Sequence, residues 1–138
     1  MIKLISTLVS LLLLTTLLQA DDMAQKVKKQ NQEVVKSAAQ ELNQQLPQKI
    51  DKYTQLNTIK AKDESLVYIY EINTGDKSDA DVIKEDKNRM KKAVIKGICD
   101  SSKRFLENGI DISYIYTSAV SKKALFQFDV SQKDCAKK

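Results

Sequence analysis

The first twenty residues determine how much of this chain folds as a domain and in which compartment it folds. Lys3 gives a short positive start, the stretch 4–18 is mostly apolar, and Ala20 is a small residue followed by two acids. This arrangement is typical of a secretory signal peptide, with cleavage expected after Ala20. An uncleaved membrane anchor is the alternative, but the run is shorter than the roughly 20 apolar residues that a bilayer span requires. We therefore predict a signal peptide at 1–20 and export of the remainder.

The chain contains two cysteines, Cys99 and Cys135. An even number of cysteines beside a signal peptide favours one disulfide, because exported proteins fold in an oxidising compartment. Two buried free thiols are the alternative. In the chain-entropy model such a crosslink stabilises the fold by roughly 4 kcal/mol. We interpret the predicted disulfide as a structural crosslink and not as a redox centre, since the sequence has no Cys-x-x-Cys motif.

Composition argues against several classes of chemistry. The chain has no histidine, which removes the usual general base and the commonest metal ligand. A calcium loop at 76–81 is unconvincing, because Ala80 replaces an oxygen ligand and Lys87 stands where the closing acid belongs. The 23 basic and 18 acidic residues are interleaved, which favours a solvated surface over a nucleic-acid site. We therefore expect no catalytic, metal-binding or cofactor-binding residues and no nucleic-acid partner.

Apolar periodicity predicts a long N-terminal helix, then two strand hairpins with a helix between them. The first helix carries one thin apolar stripe and ends before Pro47, which disfavours helical geometry at the preceding residue. Ser78, followed by acids, predicts the start of the central helix. The predicted elements are a helix over 22–46, strands over 53–60 and 66–72, a helix over 78–99, and strands over 110–117 and 124–130.

This element order predicts an α+β fold. We expect a four-stranded, mainly antiparallel sheet of order β-β-α-β-β, with the central helix on one face and the long N-terminal helix before it. The predicted organisation is a signal peptide at 1–20, a polar helix at 21–46 and a disulfide-linked domain at 47–138.

Four tyrosines, at positions 68, 70, 114 and 116, alternate along two of the predicted strands. We expect them to form core and cross-strand pairs with their hydroxyls at the rim. The alternative is a binding platform on an open face of the sheet. The groove beside the central helix is the second candidate surface, and a partner helix could dock there.

Three stretches together resemble a known group of proteins. They read LPQKIDKYTQLNTIKAKDESLVYIYEI from Leu46, then GICDSSKRFLENGIDISYIYT, then FQFDVSQKDC. The layout is similar to that of small exported bacterial proteins, mostly uncharacterised, and of the AspS-type pilotins of the type II secretion system. The resemblance implies that Cys99 pairs with Cys135. Those pilotins bind a C-terminal helix of the secretin, so it also implies a helix-binding role without catalysis. They carry a lipid-bearing cysteine at the cleavage site, whereas Ala20 and Asp21 stand here, so we expect no lipid anchor.

These observations favour a periplasmic or secreted, non-enzymatic interaction protein that serves as an accessory to secretion or envelope assembly. The expected partner is another protein, bound through a docked helix, and we expect no membrane span after signal cleavage. A small secreted effector, or an inhibitor of a toxin or enzyme, is the alternative. A small hydrolase is the third and least favoured reading.

Overall fold

The described part of the protein combines one long helix, a sheet and three shorter helices. The computed structural model describes the backbone of residues 2–136 and the side chains of residues 19–136. The chain divides into two compact units, Met1–Gln30 and Asn31–Lys138. In chain order the elements are α1 (Ile2–Asn43), β1 (Gln48–Lys49), β2 (Thr54–Lys62), β3 (Ser65–Ile72), α2 (Asp79–Ser101), α3 (Lys103–Glu107), β4 (Asp111–Ser118), β5 (Ala124–Val130) and α4 (Gln132–Cys135).

The first unit is the N-terminal part of α1, which contains the predicted signal peptide. The side chains of 1–18 lie outside the described residues, and cleavage after Ala20 stays a prediction. All side chains over 19–30 are exposed. Lys26 pairs with Asp22 one turn earlier at 3.2 Å. This stretch is therefore a polar helical segment, as its composition predicts.

In the second unit, the last turns of α1 belong to the core. Asn31, Val35 and Ala39 follow one another at four-residue spacing, and all three side chains are buried. The helix ends at Asn43 and not at the predicted 46. Hydrogen bonds of the tighter i to i−3 kind then carry the chain as far as Leu46, immediately before Pro47.

The sheet corrects two of our expectations. It has five strands, in the order β1-β2-β3-β4-β5, and it is mixed. The additional strand, β1, pairs antiparallel with β2, and its two residues are too few to show an alternating pattern in the sequence. The central pair, β3 and β4, is parallel, since α2 returns the chain to the end of the sheet where β3 begins. The α+β class with a preceding helix is confirmed.

The core lies between one face of the sheet and the helices. Tyr70 on β3 lies opposite Leu56 on β2 and beside Tyr116 on β4, so these side chains share that face. The buried α2 side chains Val94 and Ile98 belong to the same cluster. The sheet residues of the cluster that are less than a tenth exposed are Leu56, Ile59, Leu66, Tyr70, Ile112, Tyr116, Leu125, Phe126, Phe128 and Val130.

A bulge changes the pattern that we expect at the start of β5. The sequence predicts Ala124 facing inward and Leu125 facing outward. The pairing with β4 shifts register between Tyr116 and Thr117, and Thr117 lies opposite Ala124. Leu125 is consequently buried and Ala124 exposed. The expectation was wrong here because one inserted residue reverses the alternation of a strand.

The predicted start of α2 at Ser78 is confirmed, and a glycine marks the end of α3. The Ser78 hydroxyl accepts a hydrogen bond from the backbone N–H of Asp81 at 3.2 Å and so caps α2. Gly109, just after α3, has a φ of +78°, the left-handed conformation that glycine adopts most readily. These two residues fix where α2 begins and where the chain turns into β4.

Candidate functional site

A disulfide joins the end of α2 to the C-terminal helix α4. Cys99 and Cys135 are bonded in the structure, with their Cα atoms 5.5 Å apart. Both side chains are partly buried against the core. A capping box begins α4, in which the backbone N–H of Ser131 donates to the Asp134 carboxylate at 2.9 Å. The crosslink therefore holds the last turn of the described chain against α2.

A groove of about 1000 Å³ runs beside α2 on the helix-covered side of the sheet. Four structural parts form it: the connection between β1 and β2, the connection between β3 and α2, the sheet as a floor, and one side of α2 as a wall. The groove is the second of the two candidate surfaces that the sequence suggests. Its lining side chains include Ile50, Tyr53, Tyr70, Ile72, Val82, Met90, Ala93, Val94, Gly97, Ser101, Tyr114, Tyr116 and Phe126.

The floor of the groove is aromatic. The rings of Tyr70 and Tyr116 stack at 4.8 Å between centroids, and Tyr114 lies 4.9 Å from Tyr70. Tyr68 contacts Tyr114 at 5.1 Å. The four tyrosines thus form the expected cross-strand pairs, and three of them also line the groove. They lie on the face of the sheet that α2 covers. They therefore do not form the alternative that the sequence suggested, a binding platform on an open face.

Burial makes the hydroxyls of Tyr70 and Tyr116 poor acids. Removal from water is the main cause that raises the pKa of Tyr116, to about 12, and the neighbouring Tyr114 adds to it. The same cause raises the pKa of Tyr70, and the neighbouring Tyr114 adds to the effect. Neutral Tyr70 and Tyr116 side chains at physiological pH give the groove an apolar floor that carries hydroxyl groups.

The rim of the groove exposes two large apolar side chains. Ile50 is 50% exposed and Tyr53 is 57% exposed, although both lie next to the apolar floor. Asp51 shapes this rim, because its carboxylate accepts hydrogen bonds from the backbone N–H groups of Tyr53 and Thr54, both at 2.8 Å. The bond from Tyr53 is the main cause that lowers the pKa of Asp51. Lys52 lies 5.3 Å from the centre of the Tyr53 ring.

Small side chains line the groove along the C-terminal half of α2. Ala93, Gly97 and Ser101 are one turn apart, and all three line the groove. A Cβ atom added at Gly97 would meet no atom within 4 Å, so the space beside the helix is open there. The backbone of another segment could therefore approach α2 closely along this line.

The charged side chains at the groove largely neutralise one another. Arg89 pairs with Asp86 at 2.7 Å. Lys77 pairs with Glu85, and this pair is the main cause that raises the pKa of Lys77. Within the described residues there is no group of three or more cysteine, aspartate or glutamate side chains that could hold a metal ion. The site therefore offers shape and apolar surface rather than a concentration of charge.

The sequence did not identify the rim residues as part of a site. Ile50 and Tyr53 fall in a segment without clear periodicity, and only the fold brings them to α2. Gly97 did carry a usable signal, since a glycine inside a helix costs about 1 kcal/mol relative to alanine and is often kept for a packing or functional reason.

A family model covers residues 22–126, which include the central helix, the groove-lining tyrosines and four complete strands. The chain belongs to the family described as Domain of unknown function (DUF8479). No curated protein matches this DUF8479 chain in sequence.

Solved structures share the fold of the DUF8479 chain. A Pseudomonas aeruginosa protein named as a candidate secreted protein has a TM-score of 0.70 at 12% identity, covering 79% of this chain and 96% of its own. The pilotin EpsS of the Vibrio vulnificus type 2 secretion system has a TM-score of 0.68 at 14% identity, covering 82% and 98%. The type II secretion pilotin AspS of Vibrio cholerae has a TM-score of 0.64 at 16% identity, covering 81% and 98%. The predicted resemblance to exported disulfide proteins and pilotins is confirmed at the level of the fold.

Over the described residues, no helix has the length and apolar character that would let it cross a membrane.

Proposed function

We propose that this protein is an exported, non-enzymatic interaction protein whose groove binds an amphipathic helix of a partner protein. In this role it would serve as an accessory to secretion or envelope assembly. The observation that carries the proposal is the groove beside α2, which has an aromatic floor and exposes Ile50 and Tyr53 at its rim.

The dimensions of the groove suit a helix. Its α2 wall runs from Val82 to Ser101, which at 1.5 Å per residue is about 28 Å, or about five helical turns. Helix-in-groove recognition places apolar anchors from successive turns into such a surface. The small side chains around Gly97 allow the bound helix to approach α2 closely, while the aromatic floor receives its larger side chains.

The chemistry of the groove favours binding over catalysis. Three of its charged residues are in ion pairs, Asp86 with Arg89 and Lys77 with Glu85, and the hydroxyls of Tyr70 and Tyr116 are held neutral by burial. An active site would combine a nucleophile or a general base with a raised or lowered pKa near the operating pH. Support also comes from the fold, which this chain shares with two secretion pilotins. The resemblance seen in the sequence implies a helix-binding role as well.

Export is the second part of the proposal. The layout of 1–20 predicts a cleaved signal peptide, and the disulfide between Cys99 and Cys135 is of the kind that persists in oxidising compartments. We propose that the mature protein begins at Asp21 and works in the periplasm or the medium. Its N-terminal helix and the disulfide-linked domain would then form one exported chain without a lipid anchor.

Site-specific photocrosslinking in the producing cells tests the proposal. A photoreactive phenylalanine analogue replaces Tyr53 at the rim or, as a control, Lys92 on another side of α2. We expect the variant at 53 to crosslink one partner, and the attachment point to lie in a helical segment of that partner. Equal crosslinking from both positions, or none from 53, would contradict the proposal. Recovery of the protein from cleared medium without a partner would favour the effector alternative.

A further inference from the structure

The sheet has a second face, on the side away from α2, which we call the back face. Its apolar centre consists of Val67 and Ile69 on β3 and Ile115 on β4, which alternate along the strands with the tyrosines that face α2. None of these three side chains belongs to the core cluster. Within the described chain, every buried apolar side chain of a helix belongs to that cluster, on the other side of the sheet. Ile69 and Ile115 are consequently left partly exposed.

Strand pairing arranges the side chains of the back face in rows that cross the sheet from β2 to β5. The first row is Lys60, Val67, Ser113 and Asp129. The second row is Thr58, Ile69, Ile115 and Gln127. The Asp129 carboxylate accepts hydrogen bonds from the Ser113 hydroxyl at 2.6 Å and from the Gln127 amide at 3.1 Å, as side chains on one face do.

Opposite charges lie at opposite edges of the back face. Lys60 and Lys62 are exposed on β2, whereas Asp129 is exposed on β5. Lys60 and Asp129 end the same row, but two strands separate them, and three strand spacings amount to about 14 Å. At the other end of the face the charges already neutralise each other, because Lys122 pairs with Glu71 at 3.0 Å.

Negative charges are crowded at the acidic edge. Burial is the main cause that raises the pKa of Asp111 on β4, and the carboxylates of Asp134, Glu64 and Asp129 add to it. A basic side chain brought to this edge by another molecule would relieve the repulsion. The back face therefore offers an acidic edge and a basic edge on either side of an apolar centre.

A twofold rotation makes this face complementary to itself. An axis that runs along the strands between β3 and β4 places β2 of one copy over β5 of a second copy and keeps each row at its own level. The facing pairs are then Lys60 with Asp129, Ile69 with Ile115 and Thr58 with Gln127, and each pair occurs twice. An axis across the strands, through the second row, would instead place Asp129 over Ala124 and give it no basic partner.

We propose that two copies of this protein pair through their back faces. Four strands of up to eight residues give a face of about 26 Å by 19 Å, so the two copies would cover roughly 1,000 Å² in total, which is at the lower end for a specific interface. The grooves lie on the outer sides of such a pair, and both stay accessible. This pairing goes beyond the proposed function and does not depend on it.

Sedimentation equilibrium of the exported protein purified from cells tests the pairing. The small interface predicts a dimer with a dissociation constant of about 100 µM. Lys60→Glu would face Asp129 with a like charge at two symmetric positions, so it should weaken the dimer at least about tenfold. Asp129→Lys would face Lys60 in the same way and should weaken it similarly. Lys92→Glu makes the same charge change on α2, outside the interface, and should leave the dimer unchanged.

Mixing the two weakened variants tests the twofold arrangement itself. In a mixed dimer, the changed residue 60 of one chain meets the changed residue 129 of the other, and the original Lys60 and Asp129 meet at the second position. Opposite charges then face each other at both positions, so the mixture should dimerise about as tightly as the unchanged protein. Circular dichroism shows that each variant retains the fold.

Three results would overturn the proposal. The first is an unchanged protein that stays monomeric up to about 1 mM, roughly ten times the expected dissociation constant, which would leave the back face to a different partner. The second is a mixture that dimerises no better than either variant alone. The third is an equal loss of dimer in Lys60→Glu and Lys92→Glu, since the effect would then come from net charge and not from the facing residues.

Discussion

Asn43 forms with Ile59 the two hydrogen bonds that a neighbouring strand would form. Its side-chain amide nitrogen donates to the Ile59 carbonyl oxygen at 2.5 Å, and its amide oxygen accepts from the Ile59 N–H at 3.0 Å. The side chain of the last residue of α1 thus binds the free backbone N–H and carbonyl groups at the edge of β2, in the part of that strand that β1 is too short to cover. A helix end used in this way protects an exposed sheet edge and fixes α1 to the sheet.

Replacing Asn43 by alanine should therefore destabilise the second unit. Two partly buried backbone groups of Ile59 would lose their partner, so we expect the free energy of unfolding to fall by about 2–3 kcal/mol. Urea unfolding measures the change. Gln44→Ala, at the exposed next position, is the matched control and should leave the midpoint nearly unchanged. A loss no larger than in that control would show that the Asn43 bonds contribute little.

Removing the disulfide should have a larger effect. Cys99 and Cys135 are 36 residues apart in sequence, and the chain-entropy model gives about 4 kcal/mol for closing such a loop. We expect the C99A/C135A variant and the reduced unchanged protein to lose similar stability in urea. Comparing the two separates the crosslink from the packing of the sulfur atoms. Identical urea midpoints with and without reductant would mean that the crosslink is not structural.

Gly97→Ala should stabilise the protein. Gly97 lies inside α2, and a Cβ atom at this position would meet nothing within 4 Å. Alanine is favoured over glycine in a helix interior by about 0.5–1 kcal/mol. The reverse change at the neighbouring turn, Ala93→Gly, should lower stability by a similar amount. Thermal unfolding of both variants checks the prediction, and a lower melting temperature for Gly97→Ala would contradict it.

Stability should fall in alkaline solution because of the buried tyrosines. Burial raises the pKa of Tyr116 from 10.0 to about 12, so the folded protein holds this proton at pH values where the unfolded chain releases it. The stabilisation that Tyr116 gives through this shift is complete below about pH 10 and is lost as the pH rises towards 12. Tyr116→Phe should weaken this dependence, as measured by urea unfolding at a series of alkaline pH values. If the free energy of unfolding fell equally steeply with pH in Tyr116→Phe and in the unchanged protein, Tyr116 would not be the cause of the alkaline loss.

The strands and helices were predictable where local chemistry specifies them. β5 occupies the predicted 124–130, and α2 begins just after the predicted cap at Ser78. Two features were not predictable, because they depend on contacts between distant segments. β1 exists only through its pairing with β2, and the parallel pairing of β3 with β4 follows from the route of α2 across the sheet.

The candidate site was predictable only in outline. The tyrosines indicated an aromatic surface, and the groove beside the central helix was one of two surfaces considered. The rim was not predictable. Ile50 and Tyr53 are positioned by the turn before β2, which the hydrogen bonds of the Asp51 carboxylate stabilise. The burial of Leu125 was not predictable either. A bulge in the pairing of β5 with β4 buries Leu125 and exposes Ala124, and the sequence of β5 alone does not show that bulge.

The most direct test of the account is the affinity of the crosslinked partner segment, made as a peptide, for three forms of the protein. These are the unchanged protein, Gly97→Trp and Lys92→Trp. Tryptophan at 97 projects into the groove beside α2, whereas tryptophan at 92 lies on another side of the helix. We predict that Gly97→Trp lowers the affinity at least about tenfold, a loss of about 1.4 kcal/mol, and that Lys92→Trp does not. Unchanged affinity in a folded Gly97→Trp protein would contradict the groove as the binding site.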